Sequence, residues 1–173
     1  LTEHPDLQSG LLQTLVVPVG ARTLKFELLR SDLHANALAA PDAFEVALLR
    51  ADTGAPAAGS AGQGGSDALF NLQASRAVAY SSSTSLGQGV SGTLADAPVT
   101  VTIDLAQVQA GESILLYFDL LGLGALDSEV VIDGLRFESI AENVAPVAAA
   151  DTLAASEDEA LSIAAAQLLA NDF

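Results

Sequence analysis

The clearest periodicity in the chain lies at residues 42–49, DAFEVALL, where Phe44, Val46 and Leu48 share one face and Ala43, Glu45 and Ala47 the other. Successive side chains leave a pleated backbone in opposite directions, so this alternation predicts a strand with one buried face. The pattern recurs at residues 23–29 (Leu24, Phe26, Leu28), 99–105 (Val99, Val101, Ile103) and 114–120 (Ile114, Leu116, Phe118, Leu120). Less regular candidates occupy residues 13–19, 69–73, 77–82 and 130–137. They are separated by Gly, Ser, Ala and Pro clusters such as 54-GAPAAGSAGQGGSD-67. No apolar stripe of helical period reaches helical length before residue 140, although 106–110 has room for one turn. The pattern predicts an all-β fold, an antiparallel β-sandwich of jelly-roll-like topology.

After Phe137 the composition changes. Residues 141–173 hold six acidic residues and no Lys or Arg, and open on the Pro-containing stretch 143-NVAPVAAAD-151. This predicts a sandwich module over 1–140, followed over 141–173 by a linker and the truncated start of a further domain, mostly irregular. Within 161–172, Leu161, Ala164, Leu168 and Leu169 have helix-compatible spacing and Ser162 is a candidate cap. So short a segment cannot bury a core by itself. No basic, then apolar, then small-residue leader follows Leu1, so the chain is expected to begin inside a longer protein.

Composition narrows the function classes. At 173 residues, 50% hydrophobic and 16% charged, the chain can build a full core without a disulfide or a metal. The charges are lopsided, 22 acidic against 6 basic for a formal net charge of −16, which repels nucleic acid and anionic membranes. The longest apolar stretch, 114–126, is broken by Asp119, Gly122 and Gly124 and is too short to cross a bilayer. Neither nucleic-acid binding nor membrane insertion is expected. The absence of Cys leaves the redox compartment open. The carboxylate surplus suits either a hard cation, Ca²⁺ above all, or solubility in salty surroundings.

A Ca²⁺ site needs several oxygens gathered from loops that strands bring together. Asp32, Asp42, Glu45, Asp127, Glu129 and Asp133 lie at or near predicted strand ends. Of these, Asp42, Asp133, Glu45, Asp32 and Asp127 are the candidate metal ligands, against the reading of solvated or capping carboxylates. In a regular strand Asp42 and Glu45 point to opposite faces, so they share an ion only across a bulge or bend. Residues 62–70, GQGGSDALF, match the Ca²⁺-binding β-roll nonapeptide except at Gln63. A single copy has no stacked neighbour to share the ion with, which favours a Gly-rich loop. Residues 32–36, DLHAN, alternate acidic and amide groups but lack the Gly and the distal Glu of a Ca²⁺ loop.

Catalysis finds few groups. There is no Cys, the only imidazoles are His4 and His34, and no Gly-x-Ser-x-Gly elbow is present. The chain is not expected to be an enzyme. Sugar-binding sandwiches present aromatic platforms to the C–H face of a pyranose. Here Trp is absent, leaving Tyr80 and Tyr117 as candidate ligand-binding residues, or as partly buried side chains with a hydroxyl at the rim.

The tail resembles the opening of the cadherin-like tandem repeats of large bacterial adhesins. The match runs through Asn143, Ala145, Pro146, Val147, Asp151, Glu157, Asp158, Leu161, Ile163 and 168-LLAND-172. That resemblance implies the start of an Ig-like sandwich, with Asp151, Glu157, Asp158 and Asp172 as candidate Ca²⁺ ligands at a repeat boundary. More loosely, residues 1–140 resemble the jelly-roll modules of carbohydrate-binding proteins. The closing 131-VIDGLRF-137 is similar to their last strand, and the resemblance implies a structural Ca²⁺ at Asp133. Together the resemblances imply a non-catalytic, Ca²⁺-stabilised module of a secreted or cell-surface adhesin-like protein, with a structural or adhesive role. The alternatives are a carbohydrate-binding module and an accessory domain of a secreted hydrolase. The partners implied are cell-surface glycans or matrix components and adjacent domains of the same chain.

Overall fold

The computed structural model describes residues 1–2, 8–35, 41–62, 66–87, 94, 98–122, 127–139, 150, 157–158, 160 and 162–164. Its internal contacts divide the chain into two units, Leu1–Ile140 and Ala141–Phe173.

The described residues of the first unit form nine β-strands. In chain order these are β1 (Gln8–Val16), β2 (Ala21–Asp32), β3 (Ala43–Arg50), β4 (Phe70–Gln73), β5 (Val78–Tyr80), β6 (Thr84–Leu86), β7 (Val99–Asp104), β8 (Ser113–Leu121) and β9 (Glu129–Ser139). They form a five-stranded sheet, β1-β8-β3-β4-β5, and a four-stranded sheet, β6-β7-β2-β9. Every strand pair is antiparallel. The pairings β1–β8 and β2–β7 are nested, as in a ribbon rolled upon itself, and this is the jelly-roll-like element of the architecture. The nesting stops there. Instead of meeting β6, β3 turns to β4, and β6 stays beside its chain neighbour β7.

The alternation read from the sequence becomes the sandwich interior. Leu24, Phe26 and Leu28 of β2 and Val101 and Ile103 of β7 face Phe44, Val46 and Leu48 of β3 and Ile114, Leu116, Phe118 and Leu120 of β8 in one continuous buried cluster. Phe118 sits at its middle. It meets Phe26 of the opposite sheet edge-on, with ring centroids 5.1 Å apart, and stacks against Phe44 at 6.3 Å. Full burial of one such side chain contributes about 1.5–3 kcal/mol.

Turns fix the strand ends. Between β1 and β2 the Ala21 N–H donates to Pro18 O at 3.2 Å, and Gly20 takes φ +81°, which a side chain would strain. Arg76, in the β4–β5 turn, holds φ +68° although it is not glycine. Its guanidinium donates to Leu94 O at 3.2 Å and Ser31 O at 2.9 Å, lashing that turn to the end of β2. The segment 106–110 is a turn and not a helix, with the Ala106 N–H capped by Asp104 Oδ1 at 2.8 Å.

In the second unit, residues 157–158 form a turn with Asp158 at φ +68°. The helix expected at 161–172 lies outside the described residues except at 162–164, which carry no regular structure.

Candidate functional site

Three of the five candidate metal ligands come together at one end of the sandwich. Asp32 closes β2, Asp42 immediately precedes β3, and Asp127 precedes β9. Two residues from outside that candidate set join them. The His34 backbone N–H donates to Ser128 Oγ at 3.0 Å, and the Ser128 hydroxyl donates to Asp42 Oδ2 at 2.5 Å. The His34 imidazole stands between two carboxylates, with Nδ1 3.3 Å from Asp127 Oδ1 and Nε2 3.9 Å from Asp32 Oδ1. Backbone bonds brace the arrangement, from Asp42 N to His34 O at 3.1 Å and from Ala74 N to Asp42 O at 3.0 Å. Asp42 and Ser128 are each only 2% exposed. A carboxylate removed from water in this way needs hydrogen-bond donors, and Ser128 is one of them.

The sequence showed no sign of Ser128, which reads as one more turn residue before a strand. In the sequence His34 stands out as a candidate imidazole base and as the middle residue of 32–36, although an imidazole two residues from Asp32 on a strand end is a natural bridge between carboxylates. Ser128 is closed to solvent and its proton points at Asp42, so the pair acts as a clasp between two chain connections and offers no exposed nucleophile.

Glu45 and Asp133 stand apart from this end. Glu45 lies on the outer face of the five-stranded sheet, opposite Asp119 in β8 and Asn71 in β4. Asp42 is on the buried side, so the two point to opposite faces as the alternation requires. Gly10, Asp119, Glu45, Asn71 and Ala79 therefore form one row across five strands. Asn71 Nδ2 donates to Glu45 Oε1 at 2.7 Å, while its buried Oδ1 has no hydrogen-bond partner. Gly10 leaves room for Asp119, because a Cβ there would meet Asp119 Oδ1 at 2.7 Å. Tyr117 occupies the next row of the same face, half-buried between Leu12 and Ala47. Asp119 and Asn71 were missed as site residues; the available signal was that 119 and 45 are acidic positions on the outward phase of two strongly alternating strands.

Asp133 pairs with Glu27 of β2, roughly 13 Å along β9 from Glu129 at the strand spacing of ~3.3 Å per residue. Its Oδ1 accepts the Gly134 N–H at 2.7 Å. Glu129 is ion-paired with Arg30. Farther along β9, the Glu138 carboxyl is held below the ordinary carboxylate range, first by its hydrogen bond to the Lys25 ammonium at 2.6 Å. Burial opposes that shift, and the Arg136 guanidinium at 3.0 Å adds to it. Tyr80 pairs with Phe70 and packs half-buried against the core.

In the β-roll-like stretch, Gln63, Gly64 and Gly65 lie outside the described residues, and Ala68, Leu69 and Phe70 are buried. Of the tail candidates, Glu157 and Asp158 are exposed, and Asp151 and Asp172 lie outside the described residues. Among the described residues no group of three or more His, Asp or Glu side chains is arranged to hold a metal ion. At the acidic end the carboxylates are directed at His34 and Ser128, not at a common point. No family model matches the chain, and no curated protein or solved structure matches it either.

Proposed function

We propose that the sandwich is a non-catalytic, Ca²⁺-stabilised module of a secreted or cell-surface adhesin-like protein, with a structural or adhesive role beside adjacent domains of the same chain. The observation that carries this reading is the convergence of Asp32, Asp42 and Asp127, from three separate segments, on one end of the fold. Whatever neutralises them ties the β2–β3 connection to the β8–β9 connection. Their donor set is all oxygen, the preference of Ca²⁺. To be held there the ion must displace the imidazole between Asp32 and Asp127, so the end closes either on His34 or on a cation. Folding then couples to the ion available outside the cell. At Ca²⁺ one hundred times its Kd the gain is about 2.7 kcal/mol, or roughly 5–10 °C in Tm for a chain of this size. Thermal melts in EDTA and across a Ca²⁺ titration test this, with Asp127→Asn expected to blunt the response. A melting curve that ignores Ca²⁺ removes the reading.

A second reading, a carbohydrate-binding module, rests on the outer sheet face. Tyr117 supplies an aromatic surface, and Asp119 and Glu45, the latter held by the buried Asn71 amide, supply a row of acceptors beside it, the combination that grips a sugar ring. Cell-surface or matrix glycans are the partner class. Glycan-array binding by the parent chain that disappears in Tyr117→Ala supports it, and binding unaffected by that change defeats it.

A further inference from the structure

Four strands end the two sheets, and three of them are protected against pairing with another chain. β5 and β6 are three residues long. β9 carries Glu129, Asp133, Arg136 and Glu138, and its register with β2 shifts at three places. Its first residues are also covered, since Leu1 and Val130 exchange backbone hydrogen bonds and Thr2 bridges Glu129. Shortness, charge and bulges are the devices by which natural sheets blunt their edges.

β1 has none of them. Its nine residues, QSGLLQTLV, include no charge and no proline, and its register with β8 runs unbroken from Gln8↔Leu121 to Val16↔Ser113. Among the described residues its other side is unpaired. Leu11, Leu12 and Val16 are 47%, 52% and 59% exposed. A flat apolar edge of this length is a template for one more strand.

A second observation lies beneath the same edge. A cleft of about 220 Å³ opens between β1 and β9, lined by Leu11 and Gln13 on one side and by Ile132, Asp133 and Leu135 on the other, with Phe26 and Phe118 at its floor. A strand laid along β1 would aim its inward side chains at the mouth of this cleft. Strand addition of this kind draws affinity from main-chain hydrogen bonds and specificity from pockets for alternate side chains.

We propose that β1 is an acceptor edge for an extended segment of a partner protein that is apolar at alternate positions and free of acidic residues. The charge requirement follows from the sandwich's own surplus, 16 acidic against 6 basic residues over 1–140, and from Asp133 at the cleft. It also disfavours a second copy of this chain, because two sandwiches with the same acidic surplus repel one another even though β1 itself is uncharged.

The test uses the ¹⁵N- and methyl-labelled chain and a blocked synthetic peptide, Lys-Thr-Val-Thr-Val-Thr-Val-Thr-Lys, with a central Val→Pro version as control. The proposal expects peptide-induced shifts and slowed amide exchange along β1, with methyl shifts at Leu11, Ile132 and Leu135. It also expects at least about a tenfold loss of affinity in Leu11→Ala and with the proline peptide. Leu11 is half exposed, so the variant should fold, and an unchanged circular dichroism spectrum checks this. Shifts confined to other surfaces, equal binding of the two peptides, or no binding overturn the proposal. So does a concentration-dependent dimer in sedimentation velocity whose formation blocks the peptide, because the occupant is then a second copy.

Discussion

The Ser128 hydroxyl reaches the buried carboxylate of Asp42 at 2.5 Å across 86 residues of sequence, joining the connection after β8 to the residue that opens β3. Because both groups are 2% exposed, losing the hydroxyl leaves a carboxylate short of a donor where water cannot readily replace it. Ser128→Ala should therefore destabilise the fold by about 1–3 kcal/mol, seen as a lower urea midpoint with an unchanged m value. Ser128→Thr, which keeps the hydroxyl, should lose less. Equal midpoints for parent and Ser128→Ala would show that other donors satisfy Asp42 alone.

Phe118 touches both Phe26 across the sandwich and Phe44 on the adjacent strand. Its truncation removes ring contacts from both sheets and leaves a cavity that the surrounding β-branched and leucine side chains can fill only in part. Phe118→Ala should cost about 3–5 kcal/mol in denaturant unfolding, against less for Phe70→Ala, whose ring meets Phe44 of its own sheet at 6.3 Å. Similar losses at the two positions would mean that Phe118 is not the bridge between the sheets.

Strands β2, β3, β7 and β8 were legible in the sequence because each buries one face only. β1 was expected at 13–19 and is found at Gln8–Val16. Its apolar residues fall on both faces, as at Leu11 and Leu12, so the alternation that would fix its limits is missing. β6 was not expected at all. Its Thr84 is buried through hydrogen bonds to Ser81 Oγ at 3.0 Å and Leu69 O at 3.5 Å, and a satisfied buried hydroxyl looks like a loop residue in a sequence. The acidic end was half legible. Asp32, Asp42 and Asp127 could be picked as strand-end carboxylates, but which of them meet depends on the register between distant strands, and no local pattern encodes it.

Glu45 and Asp119 face each other across β3 and β8 with like charges, an arrangement that costs a sheet stability. Asp119→Asn keeps the shape, leaves the Glu45–Asn71 hydrogen bond in place and removes the repulsion. It should raise stability by about 0.2–1 kcal/mol, read as a small rise in Tm that shrinks in high salt. A loss of stability would show that the Asp119 charge is compensated within the fold.

Glu138 supplies the pH dependence whose direction the geometry fixes. Its carboxyl is held below the ordinary range chiefly by the Lys25 ammonium and further by Arg136, so the folded state keeps it ionised at pH values where the unfolded chain has already taken up a proton. The stability it contributes is thus fully present above the unfolded carboxyl pKa of about 4.3 and is lost as pH falls through the lower folded value. Lys25→Met removes the larger cause. In an NMR titration the Glu138 midpoint should move up toward the ordinary value in that variant, and the difference in Tm between parent and variant should narrow below pH 4 or so. A Glu138 midpoint that does not move in Lys25→Met would assign the depression to Arg136 instead, and Arg136→Met would then be the variant that raises it.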